Sequence, residues 1–318
     1  MKQRIGVDMN IVFYGYQETS FTWIDTLRRL LPSAVIEYYS EEGILKADYL
    51  ICRNPPQNIL AKAHHLKAVF FLSAGIDYFL RLKAEGPCEV LEQVDCYRLE
   101  DAGMSEQMMD YASYAVLKFF RQFDRYDQQN TWQSHPPYSK ARFSVGILGA
   151  GVLGMAVAQR LFALGFSVNM WSRSKKEVDD ISSYAGKEEL PMFLDHTHIL
   201  INLLPLNKHT HNIINADVFQ RLAKPSYFVN LARGAHVVEA DLVQALDANV
   251  LNAAQIDVAE MEPLPEDSPL YSLSNLFITP HNSAVTLLDE SCQHIAEKIQ
   301  SLSQGEMISG KVDWHAGY

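Results

Sequence analysis

Short apolar runs alternate with longer stretches of helical periodicity along almost the whole chain. The runs that predict strands occupy residues 10–15, 34–39, 47–53, 66–72, 143–148, 167–171, 199–204, 227–231, 251–258 and 276–279. Apolar residues at helical spacing occupy residues 20–31, 104–123, 152–164 and 285–302. Ser20 is predicted to cap the first of these helices. Strands that alternate with helices predict parallel sheets that are covered by helices.

The predicted strands fall into two groups along the sequence, so the chain is expected to form two domains. The fold class is α/β, with two Rossmann-like domains that each contain a doubly wound parallel sheet. If the C-terminal helix returns to the first group of strands, the second domain is inserted into a smaller, flavodoxin-like first domain. We expect a substrate domain at 9–105 plus 288–318, a dinucleotide-binding domain at 106–287 and an N-terminal extension at 1–8.

A glycine-rich turn follows the apolar run 143–148 and opens a helix pattern, with a second strand pattern after it. Its first glycine permits a tight turn, its second lets the backbone approach a pyrophosphate, and its third lets helix and strand pack closely. A turn without a ligand is the alternative, but the flanking strands and helix supply the context that a dinucleotide site requires. The predicted phosphate-binding residues are Gly149, Gly151, Val152, Leu153 and Gly154.

The end of the second strand of this unit indicates which dinucleotide is bound. Sites selective for NAD usually have an acidic residue there, whereas an arginine suits the 2′-phosphate of NADP. This chain has Ser172, Arg173 and Ser174, followed by two lysines and no acid. The arginine fork and the hydroxyls would bind a phosphate. We therefore predict NADPH as the cofactor, with NADH as the alternative. The alternative interpretation of residues 173–176 is a solvated basic turn that binds no phosphate.

Composition excludes several classes of protein. The 318 residues are 48% hydrophobic and 20% charged, as in a globular protein. A net charge of −11 argues against a nucleic-acid partner, because phosphate binding needs a basic face. No apolar run reaches the roughly 18 residues of a membrane span. The four cysteines show no metal-binding spacing and the start shows no signal peptide, so we expect a cytoplasmic protein.

Residues suited to hydride-transfer chemistry follow the predicted strands of the second domain. Arg233, Asp257, Glu262 and His281 lie at or just beyond three strand ends. Because the carboxyl ends of parallel strands meet at one edge, these side chains are expected to lie near the nicotinamide. His281 would be the general acid, Glu262 would orient its ring, and Arg233 would hold the substrate carboxylate. The other predicted cofactor contacts at strand ends are Leu204, Pro205 and Ala232.

Each of these side chains also has a structural alternative. A histidine after a proline is often a surface or core residue, a glutamate in an acidic loop is often only solvated, and an arginine after a strand can cap a helix. Their joint position downstream of a dinucleotide turn favours the catalytic interpretation. The remaining histidines have no spacing that is typical of a metal site, so no metal is predicted.

Several motifs resemble those of the D-isomer-specific 2-hydroxyacid dehydrogenase family. They are NLARGAHVVEADLVQAL at 230–246, IDVAEMEPLP at 256–265 and ITPHNSAVT at 278–286. The segments GILGAGVLG, WSRS, GMSEQMMDYA and VDWHAGY are similar to those of its glyoxylate/hydroxypyruvate reductase A branch. The resemblance extends from about Met9 to Tyr318.

The resemblance implies a two-domain enzyme with its site in the cleft, a preference for NADPH and a homodimer joined through the nucleotide domains. It implies catalytic roles for Arg233, Glu262 and His281, and a place for Asp257 near the nicotinamide. It also implies that backbone N–H groups of Ala74 and Gly75 hold the substrate carboxylate, and that Trp132 reaches the partner subunit's active site.

The chain departs from the pattern of that branch at three places. Arg53 stands where the branch usually has Trp, and we expect it either to add a carboxylate contact or to face solvent. Gln133 stands where the branch usually has Lys, and Trp314 where it usually has Arg.

The sequence therefore predicts an NADPH-dependent reductase for small 2-oxo acids, forming glycolate from glyoxylate and D-glycerate from hydroxypyruvate. Two alternatives remain open at this point. One is an NAD-dependent dehydrogenase for a larger D-2-hydroxy acid, and the other is a nucleotide-sensing binding protein without catalysis.

Overall fold

The computed structural model describes residues 9–63, 65–86 and 88–318. They form two compact units, of which one extends to Gly103 and resumes with Thr286–Tyr318 and the other comprises Met104–Val285. We call them unit 1 and unit 2. Unit 2 is inserted into the sequence of unit 1, as the fold-class prediction requires. The predicted extension at 1–8 lies outside the described residues, and the roles assigned to the two domains stay predictions.

The sheet of unit 1 is parallel throughout. Its strands are β1 (Met9–Tyr14), β2 (Ala34–Tyr38), β3 (Tyr49–Cys52), β4 (Ala68–Phe71) and β5 (Asp95–Arg98). They are arranged in the order β2-β1-β3-β4-β5, which is the flavodoxin-like order, so this part of the fold prediction is confirmed. β5 was not predicted, because its sequence DCYR contains no apolar run.

Short helices connect these strands. They are α1 (Ser20–Leu30), α2 (Glu41–Ile44), α3 (Gln57–Leu60), α4 (Asp77–Glu85) and α5 (Glu89–Gln93). All four residues of β3 and of β4 are buried, as expected for central strands covered on both faces. The prediction that Ser20 caps α1 is wrong, because Ser20 lies inside the helix and its hydroxyl donates to the Gln17 carbonyl oxygen at 3.1 Å.

Unit 2 contains the larger parallel sheet. Its strands are β6 (Ser144–Leu148), β7 (Ser167–Ser172), β8 (Ser182–Ala185), β9 (Ile199–Asn202), β10 (Tyr227–Asn230), β11 (Ala253–Ile256) and β12 (Leu276–Ile278). The order β12-β11-β10-β9-β6-β7-β8 reverses direction between β6 and β9. This reversal is the switch point of a Rossmann sheet, beside which ligands bind.

Helices cover both faces of the unit 2 sheet. They are α6 (Met104–Phe120), α7 (Phe123–Tyr126), α8 (Val152–Ala163), α9 (Gly186–Asp195), α10 (Ala216–Arg221) and α11 (Glu239–Asp247). Successive strand residues point to opposite faces. Ile147 belongs to the core under α6 and α8, and Leu148 to the core under α9, α10 and α11. The sheet is therefore doubly wound, as predicted.

After unit 2 the chain completes unit 1 with α12 (Leu288–Ser303), which packs against α1. Beyond this helix, the backbone N–H of Val312 donates to the Cys96 carbonyl oxygen, and that of Arg98 donates to the Gly310 carbonyl oxygen. The C-terminal segment thereby covers the β5 edge of the sheet. In the part of the chain that the structure describes, no helix has the length and apolar character needed to cross a bilayer.

The close packing of α8 on the glycine turn gives a stability prediction. A Cβ atom on Gly154 would lie 2.0 Å from the Gly149 carbonyl oxygen, whereas one on Gly151 would meet no atom within 4 Å. We expect Gly154→Ala to lower the free energy of unfolding by about 1–3 kcal/mol, because the backbone must shift. Gly151→Ala is the matched control, with an expected loss below about 1 kcal/mol. Urea unfolding followed by circular dichroism measures both, and equal losses would contradict the packing argument.

Candidate active site

The predicted site residues of unit 2, apart from Trp132, follow strands at one edge of its sheet. The last paired residues of five adjacent strands are in register, namely Leu148, Asn202, Asn230, Ile256 and Ile278. Because all strands are parallel, the segments that follow these residues emerge at the same edge. We call it the carboxyl edge. The structure thereby gathers residues that are far apart in sequence.

The glycine turn occupies the middle of the carboxyl edge. The Gly149 N–H donates to the Trp171 carbonyl oxygen at 2.8 Å, and α8 begins at Val152 with Gly151 as its N-terminal cap. Within the described residues, the N–H groups of Val152 and Leu153 donate to no acceptor. Open space surrounds Gly151. Free N–H groups at a helix N-terminus fit the pyrophosphate of a dinucleotide.

The basic turn follows β7, next to the glycine turn. The Ser172 hydroxyl donates to the Ser174 carbonyl oxygen at 2.7 Å and closes the turn, while Arg173 is exposed. Beneath it, the indole N–H of Trp171 donates to the Gly186 carbonyl oxygen at 2.8 Å. The backbone that carries Arg173 is thus fixed on the protein side. An exposed guanidinium at this strand end fits the 2′-phosphate of NADP.

His281 and Glu262 are in direct contact after β12 and β11. The distance from His281 Nδ1 to Glu262 Oε2 is 2.7 Å, and Glu262 Oε1 accepts from the Ala259 N–H at 3.1 Å. Because a carboxylate only accepts, Nδ1 carries the hydrogen and Nε2 is the nitrogen that faces away from the pair. Both side chains are partly exposed, at 44% and 37%. The pair is therefore accessible to a small molecule.

The loop that carries His281 is held by the buried carboxylate of Asp257, which is 1% exposed. Its Oδ1 accepts from the Thr279 hydroxyl at 2.6 Å and from the Asn282 N–H at 2.9 Å, and its Oδ2 accepts from the Ser283 N–H at 2.8 Å. The His281 backbone has a φ of +52°, a left-handed conformation that needs such support in a non-glycine residue. Asp257 positions the loop in the structure, and its predicted contact with the cofactor stays a prediction.

A tyrosine on α6 extends this support. The Tyr111 hydroxyl is hydrogen-bonded to the Thr279 hydroxyl. Burial raises the pKa of Tyr111, so its phenol remains protonated at neutral pH and can donate. Thr279 then donates to Asp257, and the hydrogen bonds run in one direction from α6 to the loop of His281.

The Arg233 loop approaches the Glu262 loop through a glycine. A Cβ atom on Gly234 would lie 1.9 Å from the Ala259 carbonyl carbon, so the two backbones can touch only because this residue lacks a side chain. The Glu260 N–H also donates to a carboxylate oxygen of Glu239 at 2.8 Å. Arg233 and Glu262 are thereby carried by loops in direct contact, as their predicted roles require.

Buried polar residues beneath Arg233 fix its backbone. Asn202 Nδ2 donates to Asn230 Oδ1 at 3.0 Å and lies 3.1 Å from His236 Nδ1. Asn230 Nδ2 donates to the Arg233 carbonyl oxygen at 3.1 Å. These supporting residues were not predicted, although the polar residue at the end of each apolar run, ILIN and YFVN, is a signal for them.

The remaining predicted residues of unit 2 are also placed. The Leu204 N–H and the Ala232 N–H donate to the Asn202 and Asn230 side-chain oxygens at 3.2 and 3.3 Å. The Pro205 carbonyl oxygen accepts from the Thr210 hydroxyl at 2.6 Å. Trp132 lies away from any helix or strand and is fully exposed. The structure therefore assigns it no contact at the carboxyl edge.

The predicted substrate contacts of unit 1 lie at the carboxyl ends of its own strands. Arg53 directly follows β3, and the turn with Ala74 and Gly75 follows β4. Ser73 closes that turn by donating to the Gly75 carbonyl oxygen at 2.8 Å. Among the described residues of this unit, the N–H groups of Ala74 and Gly75 donate to no acceptor. They are therefore available to a carboxylate.

Among the described residues there is neither a cluster suited to a metal ion nor an exposed cysteine. No group of three or more His, Cys, Asp or Glu side chains there is arranged to hold a metal ion. All four cysteines are free and buried, and burial raises the pKa of Cys96 and of Cys292 to about 12. These thiols are therefore not ionised nucleophiles at neutral pH.

A Rossmann sheet with a glycine turn and a histidine–glutamate pair at its carboxyl edge defines the class of dinucleotide-dependent dehydrogenases. The model of the D-isomer specific 2-hydroxyacid dehydrogenase family, NAD binding domain, matches residues 112–283. The chain belongs to this family.

Full-length relatives agree with this assignment. Glyoxylate/hydroxypyruvate reductase A of Serratia proteamaculans is 43% identical over 98% of this chain and 100% of its own length. A Xanthobacter autotrophicus D-isomer specific 2-hydroxyacid dehydrogenase in complex with NADPH has a TM-score of 0.90 at 31% identity, covering 98% of this chain and 100% of that one. The NADPH-dependent glyoxylate/hydroxypyruvate reductase of Sinorhizobium meliloti, in complex with NADP and sulfate, has a TM-score of 0.86 at 29% identity, covering 97% and 100%.

The Asp257 hydrogen bonds give a prediction for the His281 loop. Asp257→Asn replaces one acceptor oxygen by an NH₂ group, so at least one buried donor loses its acceptor. We expect the free energy of unfolding to fall by about 1–3 kcal/mol. The turnover number should fall in the same samples, because His281 loses its position. Urea unfolding and initial rates measure the two effects.

Asp247→Asn at the exposed end of α11 is the matched control and should change the free energy of unfolding by less than about 0.5 kcal/mol. If Asp257→Asn unfolds like this control, the buried carboxylate does not support the loop.

Proposed function

We propose that this protein uses NADPH to reduce small 2-oxo acids, glyoxylate to glycolate and hydroxypyruvate to D-glycerate. The observation that carries the proposal is the His281–Glu262 pair, with 2.7 Å between Nδ1 and Oε2, on the carboxyl edge of a Rossmann sheet. Full-length relatives that carry the reductase name, and the S. meliloti reductase in complex with NADP, support the substrate class and the cofactor.

The cofactor, when bound, supplies a hydride to the carbonyl carbon of the substrate. Negative charge then develops on the carbonyl oxygen, and His281 Nε2 gives that oxygen a proton. Glu262 accepts the hydrogen of Nδ1 and thereby orients the ring so that Nε2 faces away from the pair. In the oxidative direction the neutral Nε2 accepts the proton. The chain thus provides the acid and base for both directions.

Arg233 binds the substrate carboxylate and polarises the carbonyl group in this proposal. Its backbone is fixed by the Asn230 amide, and its loop touches the loop of Glu262 through Gly234. The N–H groups of Ala74 and Gly75, which donate to no acceptor among the described residues of unit 1, provide a further contact for the same carboxylate. Donors of this kind favour a small 2-oxo acid over a neutral carbonyl compound, because each can bind a carboxylate.

We also infer a homodimer and a cytoplasmic location. Tyr114 on α6 is 58% exposed, Phe123 is 49% exposed and Trp132 is fully exposed. Large exposed aromatic residues are typical of interfaces, and Trp132 is proposed to reach the partner subunit's active site. A monomeric mass in light scattering would contradict the dimer. The four free cysteines fit a reducing compartment.

The function is tested by initial rates with glyoxylate, hydroxypyruvate, pyruvate and a bulkier 2-oxo acid, each with NADPH and with NADH. We expect the fastest turnover with NADPH and the two smallest substrates. The decisive variant is His281→Asn, because asparagine tolerates the left-handed backbone that His281 adopts. Its turnover should fall by about 10²–10⁴-fold, the contribution of a general acid, while NADPH binding survives.

His65→Asn, an exposed histidine of unit 1, is the control and should keep full activity. Retained activity in His281→Asn would exclude the proposed acid. Rapid turnover only with NADH and the bulkier acid would favour a dehydrogenase for larger substrates, and cofactor binding without any turnover would favour a sensing protein.

The cofactor preference is tested at the basic turn. Removing the guanidinium with Arg173→Ala should lower kcat/KM for NADPH by about 10–100-fold, because a charge-assisted hydrogen bond to phosphate is lost. NADH has no 2′-phosphate, so its kcat/KM should change little. Measuring both cofactors in the same enzyme sample gives the ratio directly, and a ratio equal to that of the wild type would contradict this role.

A further inference from the structure

Arg53 follows β3, the middle strand of the unit 1 sheet, at the edge where the carboxyl ends of the strands meet. It directly follows β3, and its backbone N–H donates to the Tyr14 carbonyl oxygen of β1 at 2.9 Å. On the other side, the Leu72 N–H donates to the Cys52 carbonyl oxygen at 2.9 Å, so the end of β4 lies alongside. The side chain of Arg53 is exposed. It therefore projects from a rigid, central part of the sheet.

An aromatic stack holds the Arg53 side chain. The guanidinium carbon lies 4.6 Å from the centre of the Tyr16 ring, and that ring stacks on Trp23 with centroids 5.1 Å apart and planes 7° apart. Trp23 is buried in the core. A guanidinium held over an aromatic face is restrained, while the N–H groups, which lie in the guanidinium's own plane, can still donate to a ligand.

The backbone around this stack is unusual. Tyr16 has a φ of +48° and Asn54 a φ of +46°, both in the left-handed region that non-glycine residues rarely adopt. Such conformations persist where the surrounding structure fixes them, and they cluster at functional sites. The loop after Arg53 is also anchored, because the Tyr78 hydroxyl donates to the Pro55 carbonyl oxygen at 3.0 Å.

The charge of Arg53 is not neutralised within unit 1. Among the described residues of this unit, no carboxylate lies within salt-bridge distance of its guanidinium, although the chain carries a net charge of −11. A guanidinium held in place with unused donors is suited to binding a carboxylate.

A second group of hydrogen-bond donors, the backbone N–H groups of Ala74 and Gly75, follows the strand next to that of Arg53. The turn of Ala74 and Gly75 follows β4, which pairs with β3 in register from Tyr49 to Cys52. The turn's two N–H groups lack acceptors among the described residues of unit 1. α4 begins just after the turn, and its Tyr78 is the residue that anchors the Arg53 loop. The two donor groups thus follow neighbouring strands of one sheet, and Tyr78 connects their loops.

We propose that Arg53 binds a second carboxylate on the substrate, so that the protein reduces short 2-oxo dicarboxylic acids in addition to monocarboxylic ones. The proposal rests on the proposed function, in which the Ala74–Gly75 turn holds the carboxylate next to the carbonyl group. The far carboxylate of a dicarboxylic acid then meets Arg53 on the neighbouring strand. The hydride and the proton are transferred as before, and only the recognition of the substrate tail differs.

The test compares substrates matched in chain length. Oxaloacetate is paired with 2-oxobutanoate and 2-oxoglutarate with 2-oxopentanoate, and kcat/KM is measured for each with NADPH. In at least one pair, the kcat/KM of the wild type should be higher for the dicarboxylate by about tenfold or more. This is the contribution expected of one charge-assisted hydrogen bond. Arg53→Gln should lower this preference by about 10–100-fold, mainly through KM, and Arg53→Lys should restore part of it.

Arg29→Gln is the matched control, because Arg29 is an exposed arginine of unit 1 near the C-terminal end of α1. It should leave the preference unchanged, and circular dichroism verifies the fold of each variant. Reduction of monocarboxylates without a preference for dicarboxylates, or a preference that survives Arg53→Gln, would overturn the proposal and leave the proposed function intact. No reduction of either class would overturn both.

Discussion

The buried carboxylate of Asp257 holds the loop that carries His281. Asp257 directly follows β11, the strand next to the edge strand β12, and its two oxygens accept three hydrogen bonds from the segment that carries His281. Without them, the loop would have to hold a histidine in a left-handed backbone conformation on its own, which costs of order 1–3 kcal/mol. The contact with Glu262 then fixes the ring. The position of the loop and the orientation of the imidazole ring thus depend on two carboxylates with different tasks, one buried and one partly exposed.

The parallel sheet explains why these residues could be found from the sequence. Strand ends are visible as the ends of apolar runs, and parallel strands bring their carboxyl ends to one edge. Arg233, Glu262 and His281 could be grouped in this way without knowledge of any distance. The fold class, two doubly wound parallel sheets, followed from the same reasoning, whereas β5 and β8 were missed because neither sequence is an apolar run.

Residues that support the site were harder to predict, because their signals are local and weak. Nothing in the sequence distinguishes Thr279 as the donor between Tyr111 and Asp257, since its role depends on a helix more than 100 residues away. Gly234 is one of 16 glycines, and only the structure shows that a side chain there would collide with the backbone of Ala259. Such contacts depend on how loops pack, which hydrophobic periodicity does not encode.

The residues that follow the strands can differ while the strands themselves keep the same positions. Substrate specificity can therefore change in this fold without a change in the sheets. The residues proposed for hydride transfer lie in unit 2, whereas Arg53 and its aromatic stack belong to unit 1. If Arg53 binds the substrate tail as proposed, a substitution at the end of β3 alters that contact without touching the Asp257 network. The family resemblance places Trp where this chain has Arg53, and an arginine differs from it by carrying a charge. A carboxylate on the proposed substrate is a partner that suits the restrained position, the N–H donors and the charge of this side chain.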